Sequence, residues 1–344
     1  MANSRPGRFW QGETPPGEQE QADLLAVENV LYLHDGVNFK RLIGTGDLST
    51  LQGDIRGDLL TNGGMEQWQR GTGPFTAHLA YGPDRWYQSL TTSTLAISRD
   101  TADSGLGSLY CAAFVYVHAG LGTGASFNQK IEGFEALRGS VITFSMLVQS
   151  NVAGTVRLRI FDGSTSAHSA YNVAAGLEVL SVTTTLPVGA TTLVVSAMFD
   201  VATAAGKLDN ATLIVGSTAG RFVPLHPAGE LLRCQRYCQE LGGLDNNQYA
   251  GVGQATSTTA GIVIVRFPVE MAVAPTVTVS AAADWEVGTA AGAATACTAL
   301  SASIITRKEM RLVIGVASGL VAGNALLLRA ASSAASRITL VANP

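Results

Sequence analysis

Charge is what this chain has least of. Asp, Glu, Lys and Arg make up 14% of its 344 residues, against roughly a quarter in ordinary soluble domains. Hydrophobic residues make up 47%. A disordered chain shows the opposite balance, so most of this one is expected to fold and to bury surface against copies of itself. The net charge of −4 leaves no basic footprint, which argues against a nucleic-acid partner. Four cysteines are too few and too scattered for a disulfide framework. The start, Met1-Ala2-Asn3-Ser4-Arg5-Pro6, has no apolar stretch of the kind a secretory signal needs. No run approaches the roughly 18 consecutive apolar residues of a membrane helix. Synthesis in the cytoplasm and no membrane insertion are therefore expected.

Catalytic signatures are missing as well. There is no Gly-x-Ser-x-Gly elbow, no His-Glu-x-x-His and no phosphate-binding Gly-x-x-x-x-Gly-Lys-Ser/Thr. The histidines at 34, 78, 118, 168 and 226 stand singly. Asp84 and Asp162 are candidate carboxylates for a glycosidase pair, but such a pair needs a separation of about 5–10 Å that spacing alone does not supply. The expectation is a protein that is not an enzyme. Cys234 and Cys238 lie four apart on an expected helix, where they fill a core or, less simply, begin a zinc site that has no second Cys or His pair nearby.

What is present is strand periodicity. Residues 1–22 are rich in Pro, Gly, Glu and Gln and cannot order themselves alone; they read as a free tail or as an arm ordered by a partner. Residues 30–43 place Asp35-Gly36 between two apolar-bearing runs, a hairpin signal. An isolated hairpin is marginal in water, so it is expected to dock, with Phe9, Trp10, Leu31 and Leu33 as the attachment contacts. Gly44 to Asp58 reads as a linker. Beyond it Ile142, Phe144, Met146 and Val148 alternate with Val141, Thr143, Ser145 and Leu147, and Val156, Leu158 and Ile160 alternate with Thr155, Arg157 and Arg159. Leu193, Val195, Ala197 and Phe199 repeat the pattern. Short strands between Gly, Ser and Thr turns mean a sandwich or jelly roll.

One helix is expected, from Pro227 to Leu241, because Leu231, Cys234, Cys238 and Leu241 share a face and Gly242-Gly243 supplies a stop. After it, runs at 262–267, 276–280, 304–306, 312–316, 325–329 and 337–341 read as strands, with the alanine clusters near 281–283 and 291–294 as loops or tight contacts. Three units follow: an N-terminal arm, hairpin and linker (1–58), a jelly roll (59–224), and a helix with a small β domain (225–344).

The densest stretch is Leu59-Leu60-Thr61-Asn62-Gly63-Gly64-Met65-Glu66-Gln67-Trp68-Gln69-Arg70-Gly71-Thr72, followed by Gly82-Pro83-Asp84-Arg85-Trp86. In one reading Asn62-Gly63-Gly64 turns the chain, Met65 starts the first strand, and Trp68 and Trp86 fill the core with their indole N–H groups on carbonyls. In the other, Trp68, Trp86 and the adjacent Tyr87 form a platform on which sugar rings stack.

This stretch resembles the opening of jelly-roll domains in bacteriophage fibre and tail proteins, which are themselves similar to carbohydrate-binding modules. Lys207-Leu208-Asp209-Asn210-Ala211-Thr212-Leu213-Ile214-Val215 resembles the closing strand of such modules. The resemblance implies that Glu66 and Asp209 sit near a structural calcium, with a solvated or hydrogen-bonded pair as the alternative. Calcium takes six or more oxygens. Leu231-Leu232-Arg233-Cys234-Gln235-Arg236-Tyr237-Cys238 is similar to a Leu-x-Arg-Cys-x-Arg-Tyr-Tyr segment of phage tail proteins, with Cys238 in place of the second Tyr.

The resemblance covers roughly residues 59–270. It implies a virion structural protein, a head or tail fibre or fibre-like spike, most simply a homotrimer. It would be docked by its N-terminal arm to a phage head, tail or baseplate protein and would contact host surface polysaccharide. A capsid- or tail-decorating protein with no receptor is the alternative reading, and a glycan-trimming enzyme a more distant one.

Overall fold

A computed structural model describes residues 9–11, 24–27, 30–34, 39–43, 58–101, 108–121, 124–242, 245–289, 294–331 and 335–343. The chain is mostly β. Four short strands come first: β1 (Phe9–Gln11), β2 (Leu24–Val27), β3 (Val30–His34) and β4 (Phe39–Ile43). They form one sheet in sequence order, with β1 and β2 parallel. β3 and β4 pair antiparallel, as the hairpin reading requires, while its Asp35-Gly36 tip lies outside the described residues, as do most of residues 1–22 and the 44–57 linker.

Ten strands then build a sandwich: β5 (Tyr87–Leu90), β6 (Thr94–Thr101), β7 (Tyr110–Val117), β8 (Ala125–Lys130), β9 (Val141–Ser150), β10 (Val156–Phe161), β11 (Ser166–His168), β12 (Gly176–Thr185), β13 (Val194–Phe199) and β14 (Ala204–Val215). One sheet has the order β11-β10-β13-β8-β5 and the other β12-β9-β14-β7-β6. β8, β9 and β10 each lie in the sheet opposite their predecessor, as in a jelly roll. The alternation read from sequence sets the faces. Ile142, Phe144, Met146 and Val148 from one sheet meet Val156, Leu158, Val195, Ala197 and Phe199 from the other in a single buried cluster. Burying each such side chain contributes about 1.5–3 kcal/mol.

The opening segment corrects one expectation. Met65 starts no strand: it has a positive φ of 52°, and residues 58–86 run as turns and bridges until β5 begins at Tyr87. The buried Asn62 organises this stretch. Its amide donates to the carbonyls of Gln67 (2.9 Å) and Asp84 (3.1 Å), and its Oδ1 accepts from Gln67 N–H (2.9 Å). Every arm of the side chain is satisfied, which fixes a left-handed residue (φ 59°) in place.

The helix is shorter than its apolar spacing suggests. α1 spans Pro227–Gln235, with Pro in its first turn and the His226 imidazole accepting from Ala228 N–H (3.3 Å). Cys238 and Leu241 matched the helical stripe but belong to β15 (Cys238–Gly242), which pairs antiparallel with β23 (Arg337–Val341). A ladder to residues a hundred positions away outweighs a local pattern that fits either structure. Cys234 and Cys238 are both buried free thiols. No group of three or more His, Cys, Asp or Glu among the described residues is placed to hold a metal.

The rest of the chain forms β16 (Tyr249–Ala255), β17 (Ala260–Arg266), β18 (Thr276–Val279), β19 (Trp285–Thr289), β20 (Ala294–Ile305), β21 (Glu309–Val316) and β22 (Ala325–Ala330). Six close into a barrel in the order β16-β17-β21-β20-β19-β22, and β15-β23-β18 make a three-stranded sheet. Val263, Val265, Trp285, Val287, Leu312, Ile314, Leu326 and Leu328 fill a second buried cluster. β16, β19 and most of β20 carry little apolar alternation, so their sequences give no strand signal. In β16 a side chain at Gly253 would collide with the Ile262 carbonyl oxygen of the neighbouring strand, so close approach selects glycine where a branched residue is usual.

The two sequence hallmarks, Asp84-Arg85-Trp86 and the segment around Arg233 and Tyr237, pack on each other where sandwich meets helix. The Arg85 guanidinium lies 3.7 Å from the centre of the Tyr237 ring and donates to Lys130 O (2.6 Å). Tyr237 donates its hydroxyl to Glu132 (2.7 Å). Arg233 reaches Leu60 O (2.5 Å), Glu230 accepts from Asn62 N–H (2.6 Å), and Gln69 donates to Cys238 O (2.8 Å). Asp84 is fully buried and paired with Arg70 at 3.2 Å.

Candidate functional site

The tryptophans belong to the core. Trp86 is 0% exposed, stacks on Phe127 (5.2 Å, 19°), and donates its indole N–H to Asn62 O (3.0 Å). Trp68 is buried beside Phe75, with its N–H on Met65 O (2.5 Å). Neither offers a free ring face, which corrects the platform reading for both: their largest surfaces are already covered by protein.

Tyr87 is different. It lies on the face of the β11-β10-β13-β8-β5 sheet that points away from the core. Inward positions on this sheet are Phe127, Ala197, Leu158 and Ala167, so their strand neighbours point outward. The registers align Tyr87 with Asn128, Asn128 with Ser196, Ser196 with Arg159, and Arg159 with His168. Five residues from five strands thus make one row across the sheet, roughly 19 Å long at the usual inter-strand spacing of about 4.8 Å. Parallel rows hold Ser89, Ser126, Met198 and Arg157 on one side, and Lys130, Val194, Phe161 and Ser166 on the other.

The floor of this face is polar and its flanks aromatic. Ser126, Asn128 and Ser196 are buried under longer neighbours. Asn128 donates to Ser126 O (3.1 Å) and Tyr87 O (3.3 Å), and its Oδ1 has no hydrogen-bond partner among the described residues. At one end Tyr81 and Tyr87 lie 5.3 Å apart. At the other, Arg157 bonds Asp200 (2.5 Å) and lies over the Tyr171 ring, whose hydroxyl donates to the same carboxylate (2.8 Å). Arg159 donates to Ser196 Oγ (3.1 Å) and sits 5.6 Å from the Phe161 ring.

Burial sets the electrostatics. It raises the Tyr87 hydroxyl above its usual range, against the pull of Arg159 and Arg85. It lowers the Arg159 guanidinium, with Arg157 adding to the effect. His168 is held below the ordinary imidazole value by burial first and then by Arg157 and Arg159, so it is neutral at pH 7.

The other expected site residues fall elsewhere. Glu66 accepts from the backbone N–H groups of Leu109 and Tyr110. Asp209 accepts from Ser108 Oγ (3.1 Å) and Asn210 N–H (2.7 Å). Both carboxylates are therefore gathered on the 108–110 segment. Both donors meet one oxygen of Glu66, Oε1, as in the hydrogen-bonded alternative, and no group of three or more His, Cys, Asp or Glu among the described residues is placed to hold a metal.

Asp84 and Asp162 are not brought into a common cleft. Asp84 is held by Gln69 and Arg70 at the helix junction. Asp162 caps the turn after β10, accepting from Ser164 and Thr165, which holds it down at about 2. Phe9, Trp10, Leu31 and Leu33 lie on β1 and β3, and their side chains are outside the described residues. Of the sequence candidates, only Tyr87 stands in the outward row. Arg157 and Arg159 were visible as the polar half of an alternating strand, but nothing in one strand says which residues lie beside them.

No protein-family model matches the sequence, and no curated protein matches it. Among solved structures, a family 61 carbohydrate-binding module in complex with β-1,4-galactotriose is 13% identical, over 46% of this chain and 99% of that one, at a TM-score of 0.31. The xylan-binding CBM22-1 domain from Paenibacillus barcinonensis is 12% identical over 48% and 97%, at 0.32. The enzymatically active domain of tailspike protein 4 from bacteriophage CBA120 is 15% identical over 46% of this chain and 21% of that one, at 0.32.

Proposed function

We propose that this chain is an attachment protein of a bacteriophage particle, a fibre or fibre-like spike, and that it binds host surface glycan without cleaving it. The observation that carries the glycan part is the row Tyr87–Asn128–Ser196–Arg159–His168. A sugar chain needs an elongated surface that mixes ring faces with hydrogen-bonding groups, and this one offers tyrosines at one end and guanidinium donors towards the other. The virion part rests on the sequence resemblance over roughly residues 59–270, with the N-terminal strands as the docking arm to a head, tail or baseplate protein.

The barrel supports assembly with copies of itself. Val252 pairs with Ile264 on one side and Leu327 on the other, and they are 64%, 41% and 37% exposed. Three adjacent apolar side chains facing water suit burial between subunits, and the same patch would serve a decorating protein with no receptor. Mass photometry of the full chain is expected to show a species of three times the 35.7 kDa chain mass; a monomer alone would remove the trimer. On an array of bacterial surface polysaccharides the full chain is expected to bind, and Tyr87→Ala to lower that binding at least about tenfold, in line with about 1–3 kcal/mol for a lost aromatic stack. Silence on the array, with particle adsorption unimpaired when the protein is absent, would leave only the decorating role.

A further inference from the structure

The row also states what kind of glycan it takes. Its charges do not balance. Arg157 is neutralised by Asp200, but Arg159 and Lys130 form no ion pair with any described residue. Arg159 is half-buried at the fourth of five positions, and its partners are the Ser196 hydroxyl and the Phe161 ring. Among the described residues its Nε has no hydrogen-bond partner, nor has the Oδ1 of Asn128 in the same row, whose residue is 2% exposed. A cation withdrawn from water without a counter-charge is costly. It is retained most economically where an anion arrives from outside, and the planar guanidinium fork matches carboxylate and phosphate oxygens alike.

We infer that this face binds an anionic glycan, a sugar chain bearing carboxylate or phosphate groups, with one anionic group received by Arg159 and a neighbouring one by Lys130 across the adjacent row. His168, neutral beside Arg159, contributes a hydrogen bond and no charge. The tyrosine end of the row takes the ring face of an adjoining sugar. The inference rests on the glycan-binding reading above and adds the sign of the ligand's charge to it.

The test uses the full chain and three soluble polymers: polygalacturonate, phosphorylated dextran and plain dextran, with affinity electrophoresis or calorimetry at low salt. At least one anionic polymer is expected to bind tenfold or more tightly than plain dextran, and which one does so separates carboxylate from phosphate as the anion. Raising the salt from 50 to 500 mM should erase most of that preference. Arg159→Gln is expected to lose at least tenfold toward the anionic polymer and Lys130→Gln a smaller factor, while Arg159→Lys restores part of the loss. Unfolding curves of each variant confirm that it folds, and if Arg159→Gln does not, Lys130→Gln together with the salt series decides. Equal binding of plain and anionic dextran overturns the inference and leaves the sugar-binding face standing. Binding of none of the three, with silence on the polysaccharide array as well, overturns both.

Discussion

Trp86→Ala is expected to lower the stability of the sandwich by about 4 kcal/mol, the middle of the range for a fully buried Trp or Phe cut to alanine. The ring is 0% exposed, is stacked on Phe127, and is tied by its N–H to Asn62 O. Asn62 in turn holds Gln67 and Asp84, so losing the indole also loosens the turn that brings Asp84 and Arg85 to the helix. Urea unfolding measures the loss. Trp86→Phe keeps the stack and gives up the N–H bond, and should cost about 1–2 kcal/mol. The folded fraction of either variant is expected to bind glycan as the parent does, because Trp86 touches nothing outside the protein. A variant that folds to the same stability yet fails to bind would restore Trp86 to the ligand site.

The sandwich was legible in the sequence because its signal is local. Alternation along β9, β10 and β13 is a property of six to ten residues and names the buried face directly. The row of the candidate site is not local. Tyr87, Asn128, Ser196, Arg159 and His168 come from stretches as far apart as 87 and 196, and only register across four ladders makes them neighbours. The end of α1 failed for a related reason: Cys238 and Leu241 suit a helical stripe and a strand equally, and β23 decides between them from the far end of the chain. The barrel was half visible, since its glycine- and alanine-rich strands are chosen by close approach to a neighbour rather than by burial of large side chains.

The hallmark motifs also take a different meaning once folded. As sequence, Asp84-Arg85-Trp86 and the Arg233-to-Tyr237 segment are separate marks of resemblance. In the structure they are two halves of one contact, with Arg85 on the Tyr237 ring and Glu132 as the distant counter-charge that Tyr237 also bonds. The sandwich and the helix are therefore joined in part through buried charged and polar groups. Buried charge makes a joint responsive to pH.

That response has a definite sign. Burial raises Asp84 to about 6, with Arg70 and Gln69 opposing it, and raises Asp58 to about 7, with the N–H groups of Leu213 and Leu60 opposing it. Their ordinary value is 3.8, so the folded protein holds these protons more tightly than the unfolded chain. The stability they contribute is full below about pH 4 and is lost as the pH climbs through 6 and 7. Asp162, lowered to about 2, has the opposite dependence, but its contribution falls away only below about pH 4. Between pH 4.5 and 8 the raised pair governs, and two to three pH units correspond to at most about 3–4 kcal/mol for each group. The melting temperature of the full chain is therefore expected to rise as the pH is lowered from 8 to 5. Asp84→Asn and Asp58→Asn remove the charge and keep an acceptor oxygen, so each should flatten the profile and the double variant should flatten it most. A melting temperature that falls over this interval in the parent, or an unchanged slope in the double variant, would show that the junction keeps both carboxylates ionised and that the Arg70 pairing outweighs their burial.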